Sequence, residues 1–517
     1  MRHRAVVGLF VVAAIASAAM PDSGWAASSA PPRFDGGQIL KDQGGGEPSI
    51  AVDTSATPSR NDVYVDAIGG WGSAPPPGDP SGSGPVLWHS SNGGATFSAP
   101  VAFDTGPQDE LTRGGDADTV VAPNGNVIVT DLNLDYAWVQ VSTDHGETFN
   151  AGTATAPEDD RPWLAVNGNT VYVAYHDFTA EVPGVCTSLD GGQTFVPACS
   201  YLTITDPTIA TQCAENTIPA RALAIDPTSG VYHDALNFVF SCSTATENLQ
   251  HPPYGPLHDY YLAQSLDGGL TWQDYPIFLA DTSGGKAPNY ANIFGTLAID
   301  SAGNYYMLMD GTANDNEPAA NPYHVYLLTS TDHGHTWSAP KQVDHDPNGA
   351  GTHVLAHMAV TAPGNIDVAW YGTSATGEPN GVCGTLVSQS PCTDGFPRFS
   401  AANAPGWNVY MAQSTNALSA TPRFAQAAAT STPVHYGEIC TNGIVCGNSD
   451  RTLLDFLSVG VGCNGLAHLA FAGNTKAEEA ADFENGAANI HVVNQTKGGT
   501  LAAPAPCLST ATTASGP

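Results

Sequence analysis

Ser265-Leu266-Asp267-Gly268-Gly269-Leu270-Thr271-Trp272 is one copy of a phrase, Ser-x-Asp-x-Gly-x-Thr-Trp, that recurs along the chain. It returns as Ser330-Thr331-Asp332-His333-Gly334-His335-Thr336-Trp337. With Phe in the last place it runs from Ser142 to Phe149 and from Ser188 to Phe195. Asn92 stands in the Asp place of the copy from Ser90 to Phe97. A worn copy begins at Ser414-Thr415-Asn416, and Asn494-Gln495-Thr496-Lys497-Gly498-Gly499-Thr500 keeps little more than the turn. Repeats spaced by some tens of residues mark a modular array, in which each unit buries its apolar face against the next.

The phrase has a physical reading. An Asp or Asn side chain accepts from backbone N–H groups just downstream and locks a turn. Gly supplies the positive φ that such a turn needs. The closing aromatic re-enters a strand and packs between units. The Asp residues are therefore read as turn-holders rather than catalysts, and His333 and His335, inside one turn, as solvent-facing. The phrase resembles the Asp-box, or BNR repeat, of the sialidase superfamily, with five good copies spread over most of the chain. That resemblance implies a β-propeller with a box between the third and fourth strands of each blade.

Seven apolar hairpins support the array, and most of them precede a box or its remnant. Asp118–Ala122 turns at Pro123-Asn124-Gly125-Asn126 into Val127–Asp131, and Gly295–Asp300 turns at Ser301-Ala302-Gly303-Asn304 into Tyr305–Asp310. Comparable pairs start at Pro48, Trp163, Ala222, Ala356 and Leu453. Short apolar runs joined by Asn-Gly-type turns are hairpin signals. The fold class predicted is all-β, a seven-bladed β-propeller, with six blades, the usual count in the resembled family, as the alternative. Gln38-Ile39-Leu40 is expected to add the last strand of the final blade and close the ring.

Met1-Arg2-His3-Arg4, the apolar run Ala5 to Ala19 and the small residues after it have the form of a secretory signal peptide. Residues 1–26 are assigned to it, and residues 34–510 to one propeller domain. The expected location is extracellular or periplasmic. Ten cysteines in an exported chain predict disulfides. Close succession suggests Cys186–Cys199, Cys213–Cys242, Cys383–Cys392, Cys440–Cys446 and Cys463–Cys507. The formal charge is −34, with 49 Asp plus Glu against 15 Lys plus Arg. Such a field repels nucleic acid and anionic membranes. No membrane span is expected, and the protein is read as a monomer.

Loop lengths choose the working face. The turns after first and third strands are short, whereas the connections after second and fourth strands are long, as in Gly72–Pro85, Gly311–Pro322, Gly372–Gly406 and Ala425–Ser449. Long loops on a rigid scaffold carry function, so the face opposite the boxes is the functional one. Strand starts on that face offer Glu47, Arg113, Asp116, Asp160, Arg161, Arg221, His353, His357, Asp450 and Arg451. Strand ends offer Asp131, His176, Asp177, Asp310 and Tyr371. Arg113, Arg161, Arg221 and Arg451 either bind an anion or neutralise Asp160, Asp450 and Asp455.

The sialidase resemblance implies more specific roles. Three arginines would grip a substrate carboxylate, since a guanidinium forks onto it. Tyr371 or Tyr436, backed by Glu215 or Glu438, would be the nucleophile, and Asp160 or Asp116 the acid/base. The implied activity is exo-sialidase-like hydrolysis of an acidic sugar, and the alternative is a non-catalytic propeller that binds a glycan or a protein. The partner expected is a glycan or another acidic small molecule. The family's first-strand motif, Phe/Tyr-Arg-Ile-Pro, is replaced in the first blade by Gly46-Glu47-Pro48-Ser49-Ile50. No cofactor is expected beyond an incomplete calcium-loop pattern at Asp344, Asp346 and Asn348, where Leu355 holds the place of the closing Glu.

Overall fold

The structure, a computed structural model, describes residues 30–507 apart from 56–60, 70–84, 104–114, 134–135, 158, 178, 181, 196–198, 214, 218–222, 244–256, 291–294, 318, 347–350, 381, 384–389, 392–402, 442–449, 475–487 and 505–506. The signal segment assigned to 1–26 lies outside the described residues.

Seven four-stranded antiparallel blades follow one another around a ring. Blade 2 shows the pattern, with Ala117–Val121, Val127–Asn133, Tyr136–Ser142 and Thr153–Pro157 paired in chain order. Blade 4 departs from the sequence reading. Its innermost position is shared by Glu215–Thr217 and Leu223–Ile225, both paired with Leu236–Ser243. The ring closes as expected. The long strand Gln38–Val52 pairs at its start with Asn489–Lys497 of blade 7, through Gln38 opposite Val492. Its later part is the first strand of blade 1, with Ile50 opposite Val65. One hydrogen-bonded sheet therefore joins the two ends of the chain.

The strands read as unbroken apolar runs because both faces of every blade are covered. In Val63–Gly69, Val63 and Val65 pack towards blade 7 while Tyr64 packs towards blade 2. Seven apolar clusters result, one at each seam between neighbouring blades. Burial at the seams, at roughly 25 cal/mol per Å², is the main force holding the ring.

The recurrent phrase forms one turn repeatedly. In the copy at Ser265, the hydroxyl donates to Asp267 Oδ1 at 2.8 Å and accepts from Gly269 N at 2.8 Å. Asp267 then accepts from Thr271 N at 2.9 Å and from its hydroxyl at 2.6 Å. The copies at Ser142, Ser188 and Ser330 repeat this set. In the copy at Ser90 the amide of Asn92 donates to Thr96 instead. These bonds hold the carboxyls down, and Asp144 sits at about 2, first through its bond from the Thr148 hydroxyl. Gly334 has φ +85 and lies where a Cβ would meet Leu262 of blade 4, so the turn also seats one blade on the previous one. His333 is not fully solvent-facing. It stacks on Tyr232 with centroids 4.0 Å apart and meets Asp226 Oδ2 at 2.7 Å.

Disulfides Cys186–Cys199, Cys213–Cys242 and Cys463–Cys507 are formed as expected. The last ties the tail to the first hairpin of blade 7. Cys440 is also disulfide-bonded, while the expected pairings Cys383–Cys392 and Cys440–Cys446 involve residues outside the described set. Among the described residues no helix is long and apolar enough to cross a membrane.

Candidate functional site

The first strand of each blade is an inner edge, so some of its N–H groups have no strand partner and need acceptors. Side chains of the same blade or of its neighbours supply them. Asp66 accepts from Ser49 N at 3.2 Å and from the Thr119 hydroxyl. Asp118 accepts from the Ser49 hydroxyl at 2.8 Å and from Leu164 N at 2.9 Å, which joins blades 1, 2 and 3. Asp310 accepts from Ala356 N, and His357 Nδ1 from Val459 N, each at 3.2 Å. This polar lattice fixes the strand starts around the axis.

Several of those starts are bent. Pairing register shifts at Gly46/Ser49, Asp160/Trp163 and Val354/His357. Within these bulges Glu47 has φ 50, Arg161 has φ 59 and Leu355 has φ 58. Left-handed backbone at a non-glycine residue costs roughly 1–3 kcal/mol. Pro48 and Pro162 add to it by disfavouring a helical-type conformation in the residue before them. The bulges turn Glu47 and Arg161 into one mixed-charge cluster, completed by Asp116, Asp160, Arg451 and Asp455.

Asp455 is its hub. Its Oδ2 meets Arg161 Nη2 at 2.9 Å and its Oδ1 meets Arg451 Nη2 at 3.0 Å. Arg161 Nε lies 3.8 Å from Asp160 Oδ2, and Arg451 Nη2 lies 3.9 Å from Glu47 Oε1. Glu47, Arg161 and Asp455 are buried, whereas Asp116, Asp160 and Arg451 are partly exposed. Burial, then the nearby charge of Asp116, holds the Glu47 carboxyl well above the usual carboxylate range. Burial also raises Asp116, with Arg161 working against the rise. The two carboxyls act directly on one another, in the sense that favours the proton on Glu47. Burial disfavours the charge of Arg161, but Asp455, then Asp160 and Asp116, more than offset this and hold its proton above the ordinary value. Four carboxyls, of which Glu47 is the one most favoured to keep its proton, face two guanidiniums. The arrangement can donate a proton, accept one and steady a charge between the two states.

Asp160, Arg161 and Arg451, singled out from sequence, therefore come together, and so do Glu47 and Asp116. Asp455, read only as a neutralising partner, is the bridge between the arginines. Tyr371 stands apart. It is fully buried in the seam between blades 6 and 7, and its hydroxyl donates to Ala472 O at 2.8 Å. Burial pushes its ionisation far up. Glu438 is buried near His435, whose Nε2 lies 2.8 Å from Glu438 O. Glu215 belongs to the innermost edge of blade 4, opposite Ser243, and its side chain is outside the described set. Arg113 and Arg221 also lie outside the described residues.

The residues best placed to hold a metal are His324, Asp344 and His353, whose ligand atoms lie within 4.8 Å of one another. Hydrogen bonding gives these groups other work. His353 Nδ1 accepts from Trp370 Nε1 at 2.9 Å, which leaves the ring proton on Nε2. That nitrogen meets Asp346 Oδ2 at 2.9 Å. Asp344 accepts from Val325 N at 2.6 Å and meets His324 Nδ1 at 2.8 Å. Asp344 and Asp346 thus both face His353, while Asn348 lies outside the described residues.

No protein-family model matches the sequence, and no curated protein matches it. Solved structures do match in fold. A protein of unknown function from Dyadobacter fermentans is similar at TM-score 0.44 and 12% identity, over 90% of this chain and 99% of its own. A PL25 polysaccharide lyase, an ulvan lyase solved with a GlcA(1-4)Rha3S unit, is similar at TM-score 0.47 and 10% identity, over 90% and 97%. An intramolecular trans-sialidase from Ruminococcus gnavus is similar at TM-score 0.37 and 10% identity, over 91% and 98%. At such identities the likeness concerns the fold alone.

Proposed function

We propose that this protein is an exported carbohydrate-active propeller whose axial cluster carries out acid–base chemistry on a glycan. The observation that carries the reading is the carboxyl pair of buried Glu47 and partly exposed Asp116, held beside Arg161 at strained strand starts on the long-loop face. In glycoside hydrolysis, the proton held by the pair passes through the partly exposed Asp116 to the leaving glycosidic oxygen, and Arg161 steadies the carboxylate that remains. Glu47 and Asp116 touch, so they act as one acid unit rather than as two carboxyls flanking a sugar. Asp160, partly exposed at the mouth, takes the base role towards water. Arg451, a quarter exposed, meets an acidic group on the sugar. Glycan as the substrate class follows from the resemblance of the repeated turn to the Asp-box. The disulfides fit an oxidising, extracytoplasmic location.

The narrower exo-sialidase-like reading needs three arginines directed at one carboxylate. Arg161 is engaged by Asp455, so Arg451 would have to act with Arg113 and Arg221. We assign no role to Tyr371, whose hydroxyl is sealed in a seam. A second reading, a non-catalytic propeller that grips a glycan, is favoured by the pairing of both arginines with Asp455, which leaves one positive charge between them. A hydrolysis screen over chromogenic sialosides, uronides and neutral glycosides, with calorimetric titration of the same sugars, separates the two. Turnover supports the enzyme, binding without turnover supports the second reading, and neither removes the proposal.

A further inference from the structure

A second carboxyl pair lies on the same face, away from the axial cluster. Asp315 belongs to the connection after the second strand of blade 5, Tyr323 to the entry of that blade's third strand, and Glu378 to the connection after the second strand of blade 6. Tyr323 and Glu378 are almost fully buried, while Asp315 keeps partial exposure. The Tyr323 oxygen lies 2.6 Å from Asp315 Oδ1 and 3.0 Å from Glu378 Oε2. A phenol has one proton, so it donates to one of these oxygens only. The shorter contact takes that proton, and the longer one is a hydrogen bond only if Glu378 Oε2 carries a proton itself. Glu378 Oε1 is already occupied as an acceptor, by Asn380 N at 3.2 Å and Asn380 Nδ2 at 2.7 Å. The other oxygen of Asp315 accepts from Asn289 Nδ2 at 3.2 Å. Proton counting therefore requires one proton on the carboxyl pair beyond the phenol's own, and the shorter Tyr323–Asp315 contact together with the deeper burial of Glu378 assigns it to Glu378.

We propose that Asp315, Tyr323 and Glu378 form a proton-dependent clamp that locks the upper loop of blade 5 to that of blade 6 and releases it when Glu378 ionises. The clamp extends to blade 7's approach segment, because Asn380 Oδ1 accepts from Thr441 N at 2.8 Å and Ile439 N donates to Pro379 O at 2.9 Å. Loss of the proton would set two carboxylates and a phenol oxygen against each other with one proton between them, in a site without water's dielectric. No described cation faces the pair. The other ionisable groups on the packed elements are turned elsewhere. His353, whose backbone N donates to Tyr323 O, points to Asp346 and Trp370. His435 bonds Glu438 O, and Glu317 is exposed. Burial, then the charge of Asp315, holds Glu378 well above the usual carboxylate range. A raised carboxyl stabilises the closed form below its unfolded value, and that stabilisation is lost as pH rises through the folded value.

Hydrogen exchange followed by mass spectrometry on the intact protein at pH 5 and pH 9, corrected for intrinsic exchange, tests the clamp without reference to any activity. In the parent protein, peptides covering 312–323 and 373–380 should lose at least tenfold protection at the higher pH, while Val127–Asn133 of blade 2 holds constant. Glu378→Gln, which mimics the neutral acid, should keep the low-pH protection at both values. Asp315→Asn removes the repulsion from the other side and should behave alike, so it serves if Glu378→Gln fails to fold. Equal protection at both pH values in the parent, an unchanged pH response in the variants, or a loss shared equally by blade 2 would each overturn the proposal.

Discussion

Asp455→Ala should be among the most damaging single changes at the axis, and its size follows from the contacts. Asp455 and Arg161 are both buried and meet at 2.9 Å. Removing one partner of such a pair leaves a charge in low dielectric, at a cost of about 3–5 kcal/mol. Asp160, 3.8 Å from Arg161 Nε and partly exposed, offsets some of this and favours the lower end. The contact with Arg451 is more solvated and adds at most about 1 kcal/mol. The sum is about 4 kcal/mol, read as a shift in the urea midpoint at constant slope. A double variant, Asp455→Ala with Arg161→Met, removes both charges and should recover most of the loss. Less than about 1 kcal/mol for the single change, or a double variant no better than the single, would show that the pair is solvated and the buried-cluster reasoning wrong.

Further outcomes follow from groups away from the axis. Asp267→Ala removes the acceptor for Thr271 N and the Thr271 hydroxyl and should cost about 1–3 kcal/mol in urea melts, with sugar titrations of the folded protein unchanged because the turn lies on the opposite face. Asp367 is fully buried, bonded to Gln413 Nε2 at 2.9 Å and pushed up to about 7 by burial. Folded Asp367 keeps its proton where the unfolded chain has lost it. Its contribution is therefore full below the ordinary carboxylate pKa and lost as pH rises to about 7. Asp367→Asn should be more stable than the parent at pH 8, by up to about 4 kcal/mol, and no more stable in acid where both side chains are neutral. Equal pH dependence of the two in urea melts would count against a buried, titrating Asp367.

The ring was legible because its signals are local and repeated. The Asp267 turn, the Asn-Gly hairpins and the Gln38-Ile39-Leu40 closure each sit in a few consecutive residues whose backbone needs dictate their types. Three of the cysteine pairs, Cys186–Cys199, Cys213–Cys242 and Cys463–Cys507, could be read for the same reason. Blade 4 was less legible, since Glu215–Thr217 and Leu223–Ile225 share one edge and no short pattern announces a divided strand. The axial cluster was half legible. Strand starts could be named, so Asp160, Arg161 and Arg451 were found with Glu47 and Asp116 among the candidates. What strand counting does not reveal is the bulge. The left-handed turns at Glu47 and Arg161 redirect the side chains at these strand starts, and no short sequence pattern announces them. Tyr371 illustrates the opposite failure, because a strand-end position does not say whether a hydroxyl faces the channel or a seam. The Asp315–Tyr323–Glu378 network, assembled from two loops more than fifty residues apart in part of its span, carries no sequence motif at all.

The most direct test of the account compares the parent protein with Glu47→Gln and Asp116→Asn in the glycoside screen, with binding of the same sugar measured by calorimetry. If the axial pair supplies the proton, both variants should fold and bind, and turnover should fall by about 10²–10⁴-fold. Undiminished turnover in Glu47→Gln, or a parent protein that neither binds nor cleaves any sugar in the screen, would contradict the account.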